Sequence, residues 1–266
     1  MANPVTTVPL SGPINAVVRV GRGSLTVHTR EDATEAIVRL TPRGGDDALE
    51  RYTVELSGNT LSVLGPRQGG LPDLFGRKKD SVDVVVEVPA GTALKLSTMD
   101  AEVLVTGRCG RADVATGSAG VTLGFVDGDL RLRYGSGESR VEAVHGSVKV
   151  QAGSGSARFG EVTGALHCGF GSGSLDADVV RGTLHSRAGS GTVSVGAVHG
   201  DVDVASGSGG FTLGVPAGVA AKFDVTTGSG RLHSDLPVDE APAPGATAIT
   251  IRARTGSGDV HLVRAA

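Results

Sequence analysis

From Gly110 onward the chain repeats itself every 18 residues, and this constrains its fold more than any other feature. Gly110, Gly128, Gly146, Gly164, Gly182 and Gly200 stand 18 apart, as do Gly117, Gly135, Gly153, Gly171, Gly189 and Gly207, each of the latter followed by serine. Six consecutive units keep one register without an insertion. A fixed period of this length is the mark of a repeat architecture, in which each unit is one supersecondary element stacked on its neighbours.

Inside a unit, apolar and polar residues alternate ahead of the Gly-Ser step, as in Gly146-Ser-Val-Lys-Val-Gln-Ala-Gly-Ser-Gly155. That is the period-2 pattern of a strand with one buried face. A second run follows, clearest in Thr192-Val-Ser-Val-Gly-Ala-Val198. The glycines at its fifth place, Gly124, Gly160, Gly196 and Gly214, predict a bend or bulge. Stacking the units would align Ala112, Leu130, Val148, Leu166, Leu184 and Val202 in one inward ladder. Leu123, Val141, Phe159, Ala177, Val195 and Leu213 would form a second, and Val126, Val144, Val162, Val180 and Val198 a third. Each coil then buries about five aliphatic groups at roughly 1.5–3 kcal/mol each, against an ordering cost of about 1–2 kcal/mol for every residue fixed. One coil cannot stand alone, so stability has to come from neighbours stacked about 4.8 Å apart. Parallel crossovers are right-handed.

The expected fold class is therefore all-β: a right-handed parallel β-solenoid, resembling a β-helix, with 18-residue coils and an irregular N-terminal β cap. One domain is expected over 1–266: an irregular N-terminal region and cap at 1–100, regular repeats at 101–217 and irregular C-terminal coils at 218–266. Upstream strands are read at Ile14–Val20, Ser24–His28, Ala36–Leu40, Tyr52–Leu56, Leu61–Leu64, Val82–Val88 and Ala93–Leu96. Phe223–Gly230 and Ile251–Gly258 read as two further coil fragments, parted by a Pro/Ala-rich loop over Leu236–Ala246.

Composition agrees. There is no Trp, and only 2 Tyr and 6 Phe, against 42 Gly and 39% hydrophobic residues, which suits thin layers of small aliphatic side chains. A net charge of -3 gives no reason to expect nucleic acid as a partner. The N-terminal residues carry no charged and apolar leader pattern, so a cytoplasmic location is expected, with the cell surface as the alternative. Cys109 and Cys168 are expected to be free thiols, Cys168 filling an inward place.

The run Gly23-Ser-Leu-Thr-Val-His28, the segment Val84-Val-Val-Glu-Val-Pro-Ala-Gly91 and the recurring Thr/Ala-Gly-Ser-Gly units resemble the bacterial putative-adhesin family of β-strand-repeat proteins, also called toast-rack domains. The resemblance covers nearly the whole chain. It implies a stacked-strand solenoid and, by name, surface attachment, and it supplies no catalytic residues.

Chemical motifs yield to the scaffold. The Gly-Ser steps complete no phosphate loop and no Gly-x-Ser-x-Gly elbow. They read instead as corners, with Gly taking positive φ and Ser bonding back to the turn. Calcium rolls would need Asp where these turns carry Ser. His167 and His185 fall one coil apart on an outward ladder and read as a solvated pair, since zinc asks for three or four protein ligands. No metal or other cofactor is expected. Outward acids such as Glu138, Glu142, Asp176 and Asp178 are available for a carbohydrate-active enzyme, but aromatic platforms for sugars are nearly absent.

One segment departs from this logic. The Gly/Pro loop at 65–80 carries Leu71, Leu74 and Phe75 beside the basic trio Arg77, Lys78 and Lys79. Apolar anchors next to a basic cluster suit docking on a protein partner or an anionic membrane face; the alternative is that the apolar three fold back into the cap. The expected function is a non-catalytic interaction module presenting a protein- or surface-binding face. A self-associating, cytoskeletal-type scaffold is the second reading.

Overall fold

A computed structural model describes residues 5–44, 46–66, 81–236 and 248–265. Leu71, Leu74, Phe75, Arg77, Lys78 and Lys79 lie outside the described residues. The described chain is all-β, with one short 3-10 helix at Asp46–Arg51 and no α-helix among those residues. It divides into two compact units, 1–137 and 138–266.

In the first unit the strands are β1 (Val5–Pro9), β2 (Asn15–Arg30), β3 (Glu35–Pro42), β4 (Thr53–Ser57), β5 (Thr60–Leu64), β6 (Ser81–Pro89), β7 (Ala93–Cys109), β8 (Ala112–Thr116), β9 (Val121–Val126) and β10 (Leu130–Tyr134). Two segments expected as separate strands, Ile14–Val20 and Ser24–His28, run together as β2. Its first half pairs in parallel with β5 and with β7, and its second half with β6 and with β7. Beyond β7 the first ladder continues through β8 to β10 with Leu94, Ala112 and Leu130 in register, and the second continues to β9. Antiparallel strands close the other side: β4 on β5, and β3 on β6 with β1 outside it. The alternating valines Val82, Val84, Val86 and Val88 all face inward and are fully buried, the one-sided pattern that period-2 sequences produce.

In the second unit the strands are β11 (Glu138–Val144), β12 (Val148–Val162), β13 (Leu166–Val180), β14 (Leu184–Ser190), β15 (Val193–Val198), β16 (Val202–Ser208), β17 (Phe211–Val215), β18 (Ala220–Thr227), β19 (Leu232–Ser234), β20 (Ala248–Ser257) and β21 (Val260–Arg264). The 18-residue step holds here: Val148 pairs with Leu166, Leu166 with Leu184 and Leu184 with Val202, all parallel. Val141, Phe159, Ala177, Val195 and Leu213 form the second inward ladder, and Val144, Val162, Val180 and Val198 the third. All of these side chains are buried. The pairing skips Glu142, Gly160 and Asp178 while the register stays one-to-one, so these rungs carry no two-against-one bulge; a register shift of that kind lies in the first unit, where Thr106 and Gly107 of β7 stand against Gly124 of β9.

Two expectations about the repeats are corrected. The Gly-Ser steps at Gly153 and Gly171 do not interrupt the strands: β12 and β13 run through them, with Ser154 paired to Ser172 and Ser172 to Ser190. Ser154, Ser172, Ser190 and Ser208 face solvent. The first glycine of each step is needed for close approach, because a Cβ at Gly171 or Gly189 would lie 2.7 or 2.6 Å from the carbonyl oxygen of the preceding rung. Positive φ sits instead at the second glycine, as at Gly191. The order of the last coils also departs from the sequence. β20 lies between β16 and β18, with Val202 opposite Ile251 and Phe223 opposite Ile251, and β21 lies between β17 and β19.

Within the inward column Val150, Cys168, Ser186, Val204 and Ala253, the hydroxyl of Ser186 is buried with no hydrogen-bond partner among the described residues. An unmet buried hydroxyl is costly, so Ser186→Ala is expected to raise unfolding free energy by about 1 kcal/mol. Urea denaturation checks this, and a loss of stability would show that the hydroxyl is bonded.

Candidate functional site

The outward side chains of the second unit stand in straight rows because their strands pair in register. On one face the row reads Lys149, His167, His185, Asp203, Arg252 and Asp224. The His167 and His185 rings are stacked, with centroids 5.0 Å apart and planes 4° from parallel. His185 Nδ1 lies 3.8 Å from an Asp203 carboxylate oxygen, and Arg187 reaches the same oxygen at 3.7 Å. Parallel rings point their in-plane nitrogen lone pairs side by side, so the pair does not converge on one metal ion. Among the described residues no group of three or more His, Cys, Asp or Glu is placed to hold one.

The opposite face carries Arg140, Arg158, Asp176, Ser194, Thr212, His261 and His233 in one row. Two of the four carboxylates singled out in the sequence are ion-paired here: Asp176 with Arg158 at 3.2 Å and Glu138 with Arg140 at 3.1 Å. Glu161 pairs with Arg181. These exposed pairs tie rungs or neighbouring residues together and contribute little each, typically under about 1 kcal/mol.

Sequence spacing did not reveal a shallow groove of about 370 Å³ lined by Arg187, Ala205, Gly207, Thr226, Arg254 and Gly256, among others. Arg187, Ala205, Arg254 and Thr226 occupy one outward row on β14, β16, β20 and β18. The small Ala205 leaves a gap between two exposed guanidinium groups two rungs apart, roughly 9.6 Å at the usual strand spacing. Arg254 is shared with Asp224 at 3.7 Å. Two guanidinium groups over a small-residue floor suit carboxylate or phosphate oxygens on an incoming surface. The insertion of β20 out of sequence order brings Arg254 here, which no 18-residue count could predict.

Both cysteines are free and buried. Burial pushes the Cys109 thiol up to about 12 and raises that of Cys168 as well, which disfavours the thiolate form of both. In the first unit, Asp83 accepts hydrogen bonds from Ser24 Oγ at 2.6 Å and Arg43 Nε at 2.7 Å. Burial works against the Asp83 carboxylate, and the hydrogen bonds outweigh it, leaving its pKa below the ordinary value. These contacts join β2, and the residue that follows β3, to β6 and serve the framework. No helix among the described residues is long and apolar enough to cross a membrane.

No family model and no curated protein matches the chain. Solved structures do. A putative adhesin from Bacteroides fragilis NCTC 9343 is similar at 13% identity and a TM-score of 0.49, covering 98% of each chain. A putative adhesin from Parabacteroides merdae ATCC 43184 matches at 11% identity and a TM-score of 0.49, covering 98% of this chain and 95% of its own. A putative lipid binding protein from Parabacteroides distasonis ATCC 8503 matches at 11% identity and a TM-score of 0.33, over 98% and 96% of the two chains. The chain is thus similar, along nearly its whole length, to bacterial proteins named as adhesins and to one named for lipid binding.

Proposed function

We propose that the chain is a non-catalytic interaction scaffold, wound as a right-handed parallel β-solenoid, that presents a protein- or surface-binding face. The observation that carries this reading is the set of straight, exposed side-chain rows on register-locked strands, Lys149 to Asp224 foremost. Strand pairing fixes the spacing of these groups at about 4.8 Å, so a partner meets a preformed polar lattice and little ordering entropy is lost on docking. The segment at 65–80 supplies the apolar anchor: Leu71, Leu74 and Phe75 insert, while Arg77, Lys78 and Lys79 meet acidic groups on a protein or an anionic headgroup surface.

Deleting Leu71 to Lys79 tests the reading. Binding is measured by co-sedimentation with vesicles containing phosphatidylserine, and by affinity capture of protein partners from the native extract. The expected result is loss of binding with an unchanged unfolding midpoint. Binding that survives the deletion removes the segment as the docking element.

A further inference from the structure

Parallel stacks bury their core only where another rung follows, and in the second unit the last described rung, β18 with β19, lacks one. At the inward position shared by Leu184, Val202, Ile251 and Phe223, the first three are 0%, 2% and 0% exposed, whereas Phe223 is 37% exposed. On the facing side, Val193, Phe211 and Val260 are 2%, 1% and 0% exposed, whereas Leu232 is 52%. Among the described residues β18 pairs only with β20 and β19 only with β21, so each presents a backbone edge. No proline interrupts β18. An edge of this kind, with open hydrogen-bonding groups and apolar side chains beside it, is a template for another strand.

We propose that this rung is a self-association surface whose occupant is the same rung of a second copy, joined about a two-fold axis. Such an axis across the end of a parallel stack sets β18 antiparallel to the second copy's β18. The sequence of β18 is self-complementary in one register. With Phe223 opposite the second copy's Phe223, Lys222 faces Asp224 and Asp224 faces Lys222, both on the outward side, while Ala221 faces Val225 on the inward side. Opposite charges directly across an antiparallel pair attract, with Cβ atoms about 5 Å apart. Shifting the register by one residue would set inward side chains against outward ones. Shifting it by two loses the reciprocal charge pairs. Lys222 makes no ion pair with a described carboxylate, so its charge is available, whereas Asp224 is drawn toward Arg252 and Arg254 only at 4.0 and 3.7 Å. Isologous contacts about a two-fold axis are the commonest way for identical chains to meet.

The inference deepens the reading of the chain as an interaction scaffold by naming one partner, and its test is independent of the segment at 65–80. Sedimentation equilibrium of the full chain across roughly 1 to 100 µM is expected to show a monomer–dimer equilibrium with a dissociation constant on the order of 10 µM. Lys222→Asp alone, or Asp224→Lys alone, sets like charges against each other and weakens the dimer about tenfold or more. Lys222→Asp combined with Asp224→Lys restores the opposite pairing and returns the constant to within about threefold of the original. A monomer at every concentration overturns the proposal, as does a dimer indifferent to either single reversal, or a double variant as weak as the singles. The chain lacking Leu71 to Lys79 dimerises as the full chain does, so lost docking in that variant bears on the 65–80 segment alone.

Discussion

Gly191→Ala is expected to destabilise the second unit by about 3 kcal/mol or more, because it combines two faults in one methyl group. The residue sits at φ +146°, which side chains rarely adopt, and an added Cβ would lie 1.6 Å from the carbonyl oxygen of Gly173 on the preceding rung. That oxygen belongs to the backbone and cannot rotate away. Two further variants separate the causes. Gly173 has no positive φ, yet its Cβ would fall 1.9 Å from the carbonyl oxygen of Gly155, so Gly173→Ala tests the rung-to-rung clash alone. Gly169 lies in the same strand with only Val150 O within reach, at 3.9 Å, and has no positive φ. Gly169→Ala is therefore expected to stabilise by roughly 0.5–1 kcal/mol, through reduced freedom of the unfolded chain. Chemical denaturation ranks the three. If Gly173→Ala is as well tolerated as Gly169→Ala, the preceding rung does not approach as closely as the structure places it.

The contrast between Gly169 and Gly191 also marks what the sequence could and could not disclose. Period and alternation together revealed which residues share a column, because equal spacing in the chain becomes vertical alignment whenever strands pair in parallel without insertions. Val148, Leu166, Leu184 and Val202 follow that rule. The same arithmetic fails where the chain leaves its order. The second half of β2 enters between β6 and β7, and β20 between β16 and β18, so Leu25 meets both Val84 and Val103, and Val202 meets Ile251. No local preference records those partners, since any strand with a matching alternation can fill the place. The Gly-Ser steps read as corners, and strands do end before Gly117 and Gly135, yet at Gly171 and Gly189 the closer constraint is the distance to the preceding rung, which is a property of two coils and not of one. The site divides in the same way. His167 and His185 were legible as neighbours from their spacing, and their rings do stack. The groove between Arg187 and Arg254 depends on β20 being out of order, so it had no signature in the repeat.

Phe159→Ala is expected to cost about 3–5 kcal/mol, the usual range for emptying a fully buried aromatic site. Phe159 is 0% exposed and stands in the column Val141, Phe159, Ala177, Val195 and Leu213, one residue from each successive rung. The ring fits because its neighbour on one side is the smallest apolar side chain, and Phe170 is accommodated in the same manner between Ala152 and Ala188. Ala177→Phe alone would place two rings on adjacent rungs of one column and cost about 1–3 kcal/mol through overpacking. The pair together is different. Phe159→Ala with Ala177→Phe converts Val-Phe-Ala-Val into Val-Ala-Phe-Val, the same four volumes in reverse order, with the ring again between one valine and one alanine. The double variant is therefore expected to recover at least half of the loss caused by Phe159→Ala, a coupling that appears only if the two positions touch. Unfolding free energies of the four proteins by guanidinium denaturation provide the comparison. Strict additivity of the two substitutions would mean that residues on successive rungs do not share a column, and the vertical packing that holds the second unit together would have to be abandoned.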